Sequence, residues 1–208
     1  MELLIGGAGN DLVTASASTS IVAFDLGDGR DTVVANAGQN NAVSLGGDFT
    51  YDSLAFQKNG SDLVLDVGAS DSLTFKDWYA SPANQDVANL QVIAAAMAAY
   101  DPASSDPLLN QKVQTFDFQA LVGDFDQAQA ANPGLTSWAL TNALLDAHLA
   151  GSDSAALGGD LAYGYGVQGN LTGFSVAAAE TTLSNAQFGT APQPMTSSDT
   201  GTDVARLK

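Results

Sequence analysis

A repeat of glycine and aspartate near the start of the chain constrains its fold most strongly. Residues 7–11 read Gly-x-Gly-x-Asp, the same pattern recurs at residues 27–31, and a short apolar segment follows each copy. Glycine allows tight turns with positive φ, and short β-branched segments favour strands. A repeated unit that cannot bury its apolar face alone must stack on its neighbours. The pattern therefore predicts turns and strands stacked in successive layers.

The same repeat predicts ligands for a metal ion. The carbonyls of a tight glycine turn can point at one ion, and aspartate adds a short, stiff carboxylate, which suits the six to eight oxygen ligands of calcium. One turn cannot supply so many oxygens, so two stacked turns would share the ion. The candidate metal ligands are Gly7, Gly9, Asp11, Gly27, Asp28, Gly29 and Asp31.

Each of these aspartates has an alternative interpretation. Asp11 and Asp31 could close two Asx turns without any ion, because glycine and aspartate form turns in any case. Asp28 is equally consistent with a metal ligand and with a solvated turn charge. The calcium interpretation is favoured for Asp11 and Asp31, because both stand at the same place in the repeat.

Composition excludes several classes of partner. Lys and Arg number 6 against 23 Asp and Glu, a formal net charge of −17. Such a negative field repels nucleic acid phosphates and anionic lipid headgroups. No apolar run reaches the length of a membrane span, so we expect no membrane insertion. There is no cysteine, which excludes disulfides, thiolate metal sites and cysteine catalysis.

We expect no enzyme activity and no catalytic residues from this sequence. His148 is the only histidine, and its leucine-rich surroundings favour a packing or surface role. A Ser-His-Asp triad would have to use it, and the chain has no G-x-S-x-G motif. Calcium is the only cofactor that the residues suggest.

The repeat resembles a known family. Residues 6–14 fit the nonapeptide G-G-x-G-x-D-x-U-x at every defined position, and residues 26–34 lack only its first glycine. These residues are similar to those of the RTX (repeats-in-toxin) calcium-binding family, in which glycine-rich turns and short strands alternate in a parallel β-roll. Residues 42–79 resemble the haemolysin-type calcium-binding-related segment that follows such repeats. The remainder is more vaguely similar to the helical C-terminal regions of very large RTX exoproteins.

The resemblance implies a function and a location. It indicates a calcium-binding C-terminal module of a secreted exoprotein, which leaves through a type I secretion exporter and folds outside the cell when it meets calcium. In that interpretation the module caps the repeat region, and its tail carries the secretion signal. The alternative is an adhesion or self-assembly module that binds another copy, a carbohydrate or the cell surface. Either protein would be extracellular or lie on the cell surface.

The pattern along the chain predicts an α+β fold in three parts. Residues 1–80 are expected to form a truncated, short parallel β-roll with Gly/Asp calcium turns and a β-hairpin sheet. A helical C-terminal unit is expected over residues 84–188, and a flexible tail over 189–208. Strands are predicted at Ser20–Phe24, Thr32–Val34, Ala42–Leu45, Leu54–Phe56, Leu63–Val67 and Ser72–Phe75, with a hairpin turn at Asn59-Gly60 and a terminating third turn after Gly46-Gly47.

Apolar residues at helical spacing predict the helices of the second part. The first contains Leu90, Ile93, Ala94 and Met97. Further helices are predicted over Asn110–Ala131, from Thr136 to Gly151 and over Ser175–Ser184, with a weaker candidate over Asp153–Tyr165, whose glycines disfavour a helix.

Overall fold

Two six-stranded sheets, one two-stranded sheet and four α-helices are found in the described part of the chain, residues 2–17, 19–34 and 40–195 of a computed structural model. This is a mixed α+β structure. The strands are β1 (Glu2–Ile5), β2 (Leu12–Thr14), β3 (Ser20–Asp25), β4 (Arg30–Val34), β5 (Asn41–Gly46), β6 (Leu54–Asn59), β7 (Asp62–Val67), β8 (Ser72–Phe75), β9 (Val87–Val92), β10 (Val113–Asp117), β11 (Trp138–Ala139), β12 (His148–Ser152), β13 (Ala155–Ala156) and β14 (Gln193–Pro194). The helices are α1 (Phe118–Ala131), α2 (Leu144–Ala147), α3 (Gly159–Gln168) and α4 (Val176–Leu183).

Successive strands of the first half alternate between the two sheets. The first sheet has the order β1-β3-β5-β9-β10-β12, and its first four strands are parallel. The second has the order β11-β6-β7-β8-β4-β2, in which β2, β4 and β8 are parallel. The strands predicted at Ser20–Phe24, Thr32–Val34 and Ala42–Leu45 are confirmed as β3, β4 and β5.

One apolar core joins the facing sides of the two sheets. Val22 pairs with Val43 in the first sheet, and Val33 pairs with Val13 on one side and Phe75 on the other in the second sheet. All five belong to one cluster of buried side chains. Each such side chain contributes about 1.5–3 kcal/mol when fully buried, so burial between the stacked layers stabilises the fold.

The predicted hairpin is confirmed, including its turn. Strands β6 and β7 pair in antiparallel register from Leu54 opposite Val67 to Asn59 opposite Asp62. Gly60 lies in the turn with φ of +62°, which glycine adopts without strain. Strand β8 follows at the predicted residues Ser72–Phe75 and pairs with both β7 and β4. The hairpin therefore lies beside the parallel strands of the second sheet.

The first predicted helix is wrong. Val87–Val92 is strand β9, which lies between β5 and β10 in the first sheet, and only Ala94–Ala96 forms a short 3-10 turn. Leu90, Val92 and Ile93 are all fully buried. A strand covered on both faces has a nearly continuous apolar pattern that does not differ from that of a buried helix.

The next two helix predictions are correct only in part. Helix α1 occupies Phe118–Ala131 as expected, but Val113–Asp117 before it is strand β10. Asp117 caps α1, because its side chain accepts a hydrogen bond from the N–H of Ala120. From Thr136 to Gly151 the predicted helix is replaced by β11, a 3-10 turn, the one-turn helix α2 and β12. His148 therefore lies on a strand.

The remaining helices lie close to their predicted positions. Helix α4 is confirmed, with Ser175 as its cap, and α3 begins at Gly159 rather than near Asp153. Helix α3 packs on β3 and β5, where an added Cβ on Gly46 would lie only 2.1 Å from Cα of Gly166. Two glycines thus allow the helix to approach the sheet closely.

Strands from beyond residue 84 complete both sheets. β9, β10 and β12 join the first sheet, and β11 joins the second. Within the predicted tail Met195 is buried and Gln193–Pro194 pairs with β13, and Phe188 just before the tail is buried too. Residues 196–208 of the predicted tail lie outside the described residues. Among the residues that are described, no helix is both long and apolar enough to cross a membrane.

Candidate metal centre

The two predicted turns lie against each other at one end of the sheets. Gly9 pairs with Gly29 in a parallel bridge, the N–H of Gly9 donates to the carbonyl of Asp28 at 2.8 Å, and the N–H of Arg30 donates to the carbonyl of Gly9 at 3.2 Å. A Cβ on Gly29 would lie 2.0 Å from the carbonyl oxygen of Gly9. The repeat therefore needs glycine at position 29, because the turns could not otherwise come together.

Asp11 and Asp31 meet across these stacked turns. The main-chain N–H of Asp11 donates to Oδ1 of Asp31 at 2.9 Å. A Cβ added to Gly6 would lie 2.6 Å from Oδ2 of Asp31 and 3.3 Å from Oδ2 of Asp11. The two carboxylates thus face the same small space beside Gly6, a residue that the sequence analysis did not include among the ligands. We call this space the Gly6 cradle.

Asp28 is held differently. It is buried, and its Oδ2 accepts hydrogen bonds from the N–H of Asp25 at 2.7 Å and from the hydroxyl of Tyr165 at 2.8 Å. Burial, together with the hydrogen bond to Asp28, raises the pKa of Tyr165 above its usual value, so this hydroxyl stays a donor. Asp28 is therefore not a solvated turn charge. It closes its own turn and connects that turn to helix α3.

Asp71, which is not among the predicted ligands, lies on the other side of the second turn. Its Oδ1 accepts hydrogen bonds from the N–H groups of Gly27 at 3.1 Å and Gly29 at 2.9 Å. Gly68, with φ of +117°, and Asp71 come just before strand β8. A glycine and an aspartate directly before a short strand are the signal that could have identified this turn at residues 68–71.

The turn at Gly46-Gly47 lies beside the second turn on the first sheet. The N–H of Leu26 donates to the carbonyl of Gly46 at 3.1 Å, and a Cβ on Gly47 would lie 2.1 Å from Oδ1 of Asp25. Asp25, also absent from the predicted ligands, is buried. Burial and the nearby charge of Asp28 raise the pKa of Asp25 to about 6.

Buried negative charge accumulates at this end of the sheets. Asp25, Asp28, Asp31 and Asp71 are each at most 7% exposed. Burial also raises the pKa of Asp31. The hydrogen bond from the N–H of Asp11 opposes this rise, and the negative charges of Asp11 and Asp28 add to it. In the described part of the chain no lysine or arginine forms an ion pair with any of the four. A buried carboxylate without a counter-charge costs several kcal/mol, so this arrangement favours a bound cation.

No model of a known protein family and no curated protein matches this chain. Its chemistry must therefore be inferred from its own residues.

The side chains alone do not form a complete metal site. Across residues 2–17, 19–34 and 40–195, no group of three or more His, Asp or Glu side chains is arranged to hold a metal ion. An ion in the Gly6 cradle would need main-chain carbonyls in addition to Asp11 and Asp31. The donors at hand are all oxygens, which suits a hard cation with a flexible shell such as calcium better than a transition metal.

The opposite end of the sheets is closed by hydrogen bonds. Oε1 of Glu2 accepts from the N–H of Ser16 at 2.6 Å, from the N–H of Ala17 at 3.1 Å and from the hydroxyl of Ser20 at 2.8 Å. Asn41 continues this row, since its Oδ1 accepts from the N–H of Ser20. Glu2 thus fixes the turn between β2 and β3 with main-chain donors.

Proposed function

We propose that this chain is a calcium-binding module whose folded state is stabilised by an ion bound between the turns at residues 6–11 and 26–31. One observation carries the proposal: Asp11 and Asp31, 20 residues apart, present their carboxylates to the same cradle beside Gly6. Two carboxylates on one ion, with carbonyls filling the remaining positions, is a common calcium arrangement.

In this proposal the glycines and aspartates have different roles. Asp11 and Asp31 supply charge, while the carbonyls of Gly7, Gly9, Gly27 and Gly29 are the candidate neutral ligands. Asp28 and Asp71 hold the turns in shape through the hydrogen bonds described above. Calcium would also lower the electrostatic repulsion among the buried carboxylates, because these groups carry like charges within a small volume.

The alternation of parallel strands between two sheets supports a β-roll as the underlying architecture. In this interpretation each turn carries the chain from one sheet to the other, and stacked turns on the same side create the ion site. The β6–β7 hairpin would then be inserted in the chain between β5 and β8, and in the second sheet it lies next to β8 on the side away from β4.

Binding of this kind would make folding depend on the calcium concentration. An ion that binds only the folded chain stabilises it by RT ln(1+[L]/Kd), about 1.4 kcal/mol for a site of ~10⁻⁴ M affinity at ~1 mM calcium. At cytosolic calcium levels the same site would contribute almost nothing. This difference fits a module that folds after secretion. Export through a type I exporter and an extracellular location remain predictions from the resemblance to RTX proteins.

Differential scanning calorimetry and circular dichroism of the full chain test the proposal. Calcium should raise the midpoint of thermal unfolding, magnesium should raise it less because it demands a tighter octahedral shell, and a chelator should reverse both effects. Identical unfolding curves in millimolar calcium and in chelator would overturn the proposal.

A further inference from the structure

Helix α3 brings one polar side chain from the later part of the chain to the proposed calcium turns. The hydroxyl of Tyr165 donates a hydrogen bond to Oδ2 of Asp28 at 2.8 Å, although the two residues lie 137 positions apart in the sequence. Tyr165 is 3% exposed and Asp28 is 6% exposed, so water does not readily replace either partner. The hydrogen bond therefore depends on how α3 packs against the first sheet.

Asp28 connects this hydrogen bond to both turns. Its Oδ2 also accepts from the N–H of Asp25 at 2.7 Å, which fixes the start of the turn at residues 26–31. Its main-chain carbonyl accepts from the N–H of Gly9 at 2.8 Å, in the turn that carries Asp11. A continuous series of hydrogen bonds thus leads from α3 through the second turn into the first.

Main-chain contacts with a neighbouring turn fix the position of α3. The N–H of Gly47 donates to the carbonyl of Gly166, directly after Tyr165 in the helix, at 2.9 Å. An added Cβ on Gly46 would lie 2.5 Å from the same carbonyl oxygen. Closely packed contacts of this kind have few alternative arrangements. A displacement of α3 would therefore take the hydroxyl of Tyr165 away from Asp28.

Loss of this hydrogen bond would loosen the turn at residues 26–31. Asp28 is a buried carboxylate, and hydrogen bonds to charged groups are stronger than those between neutral groups. Without the hydroxyl, Oδ2 of Asp28 retains the N–H of Asp25 as its donor in the described part of the chain. A binding site whose groups are held in place before binding has higher affinity, because less ordering is needed when the ligand arrives.

We propose that Tyr165 is a positioning residue for the calcium site, and that calcium binding and the docking of α3 on the first sheet strengthen each other. Its hydroxyl acts through Asp28, which holds the turn at residues 26–31 against the turn at residues 6–11. This inference rests on the proposed calcium function. Coupling between two equilibria is reciprocal, so an ion that binds more tightly when α3 is docked stabilises the docked helix by the same factor.

Isothermal titration calorimetry of the full chain with calcium tests the positioning role. Tyr165→Phe keeps the ring and removes only the hydroxyl, and we expect the dissociation constant for calcium to rise about tenfold. Tyr163→Phe is the matched control, because Tyr163 lies in the same helix but packs against a different apolar cluster, which contains Val113 and Met195. It should change the dissociation constant by less than about twofold.

The outcomes separate this inference from the proposed function. If the wild-type chain binds no calcium, both are overturned. If the wild-type chain binds calcium and Tyr165→Phe binds it equally well, or Tyr163→Phe loses as much affinity, only the role of Tyr165 is overturned. An unfolding midpoint of Tyr165→Phe that falls by the same amount in calcium and in chelator would also overturn it, because the hydrogen bond would then be purely structural.

Hydrogen exchange measures the reciprocal effect on the helix. The N–H of Gly169 donates to the carbonyl of Tyr165 at 2.7 Å at the end of α3, and its exchange reports local opening of the helix. Saturating calcium should slow this exchange about tenfold relative to chelator in the wild-type chain, and by less than about threefold in Tyr165→Phe.

The matched amide is that of Asn132, which donates to the carbonyl of Ala128 at the end of α1. Its exchange should be the same in calcium and in chelator. Equal exchange of the Gly169 amide in both buffers, or equal slowing of the two amides by calcium, would overturn the coupling. This comparison needs only the wild-type chain, so it decides the matter even if Tyr165→Phe does not fold.

Discussion

The main-chain N–H of Asp11 donates a hydrogen bond to Oδ1 of Asp31, 2.9 Å away and one layer further along the parallel strands. This contact fixes one oxygen of Asp31 and leaves Oδ2 facing Gly6 beside the carboxylate of Asp11. A buried carboxylate with one oxygen satisfied by the backbone and one directed at a second carboxylate is expected to gain from a shared cation.

Asp31→Asn separates the role of charge from that of the hydrogen bond. Asparagine can still accept from the N–H of Asp11, so in chelator we expect the free energy of unfolding to stay the same or to rise by up to about 1 kcal/mol, because a buried charge is removed. At ~1 mM calcium the wild-type midpoint should rise by about 3–6 °C, and the variant should lose most of this rise. Calorimetry in both buffers measures these values.

Asp146→Asn is the matched control for this variant. Asp146 is an exposed aspartate in α2, remote in sequence from both turns. It should retain the full calcium response. A calcium response that survives in Asp31→Asn, or that disappears equally in Asp146→Asn, would refute a role for the Gly6 cradle.

Gly6→Ala tests the cradle by occupying it. The new Cβ would lie 2.6 Å from Oδ2 of Asp31 and 3.0 Å from Cβ of Asp11, so both side chains must move away from residue 6. We expect at least about tenfold weaker calcium binding by isothermal titration calorimetry, with a folded apo state. Gly123→Ala is the control, since an added Cβ there meets no neighbour. In the middle of α1 it should stabilise the chain by about 0.5–1 kcal/mol and leave calcium affinity unchanged.

Glu2 predicts a pH dependence at the opposite end of the sheets. Burial favours a higher pKa, but hydrogen bonds from Ser16 and Ala17 outweigh it and hold the pKa of Glu2 below its usual value of 4.5. An acid whose pKa is lower in the folded state stabilises that state above its unfolded pKa, and this contribution disappears as the pH falls through the folded pKa. Glu2→Gln should therefore cost about 1 kcal/mol near neutral pH, and this difference should shrink below pH ~4.5.

Urea denaturation in chelator at a series of pH values measures this difference. Glu180→Gln is the control, because Glu180 is the other glutamate of the chain and is exposed on α4. It should change the free energy of unfolding by less than about 0.5 kcal/mol at every pH. A Glu2→Gln effect that grows as the pH falls would contradict the assigned hydrogen bonds.

Strands β2 to β8 could be predicted because their turns are marked by glycine, aspartate and asparagine, whereas β1 was not predicted. Sequence reasoning failed at β9, a strand of the first sheet, which is covered on both faces. Val22 and Val43 face the second sheet, while Ile21 and Ala42, on the other side, pack with Leu157 and Phe188 from the later part of the chain. Strand β9 lies next to β5 in this sandwich, so its residues lack the alternation that distinguishes a strand from a helix.

The two central carboxylates of the candidate site could be predicted from the sequence, but the residues that surround them could not. Asp11 and Asp31 could be predicted as ligands, because they hold the same position in two copies of the repeat. Successive copies lie in adjacent layers. Asp71 belongs to the next layer of the second sheet, but the β6–β7 hairpin precedes it and breaks the 20-residue spacing. The contribution of Tyr165 depends on the packing of α3 and has no local signal in the sequence.

Gln91 provides a test of how the later part of the chain is attached to the first sheet. It is fully buried, its amide nitrogen donates to the hydroxyl of Ser44 and the carbonyl of Leu157, and its Oε1 accepts from the N–H of Leu157 at 2.6 Å. Gln91→Met keeps most of the volume but leaves both main-chain groups of Leu157 unpaired, which should lower the free energy of unfolding by about 2–4 kcal/mol. Gln127→Met, at an exposed position of α1, should change it by less than about 0.5 kcal/mol. Urea denaturation of both variants measures this difference. Equal stabilities would mean that the segment around Leu157 is held by apolar packing alone and that the hydrogen bonds of Gln91 do not attach it to the first sheet.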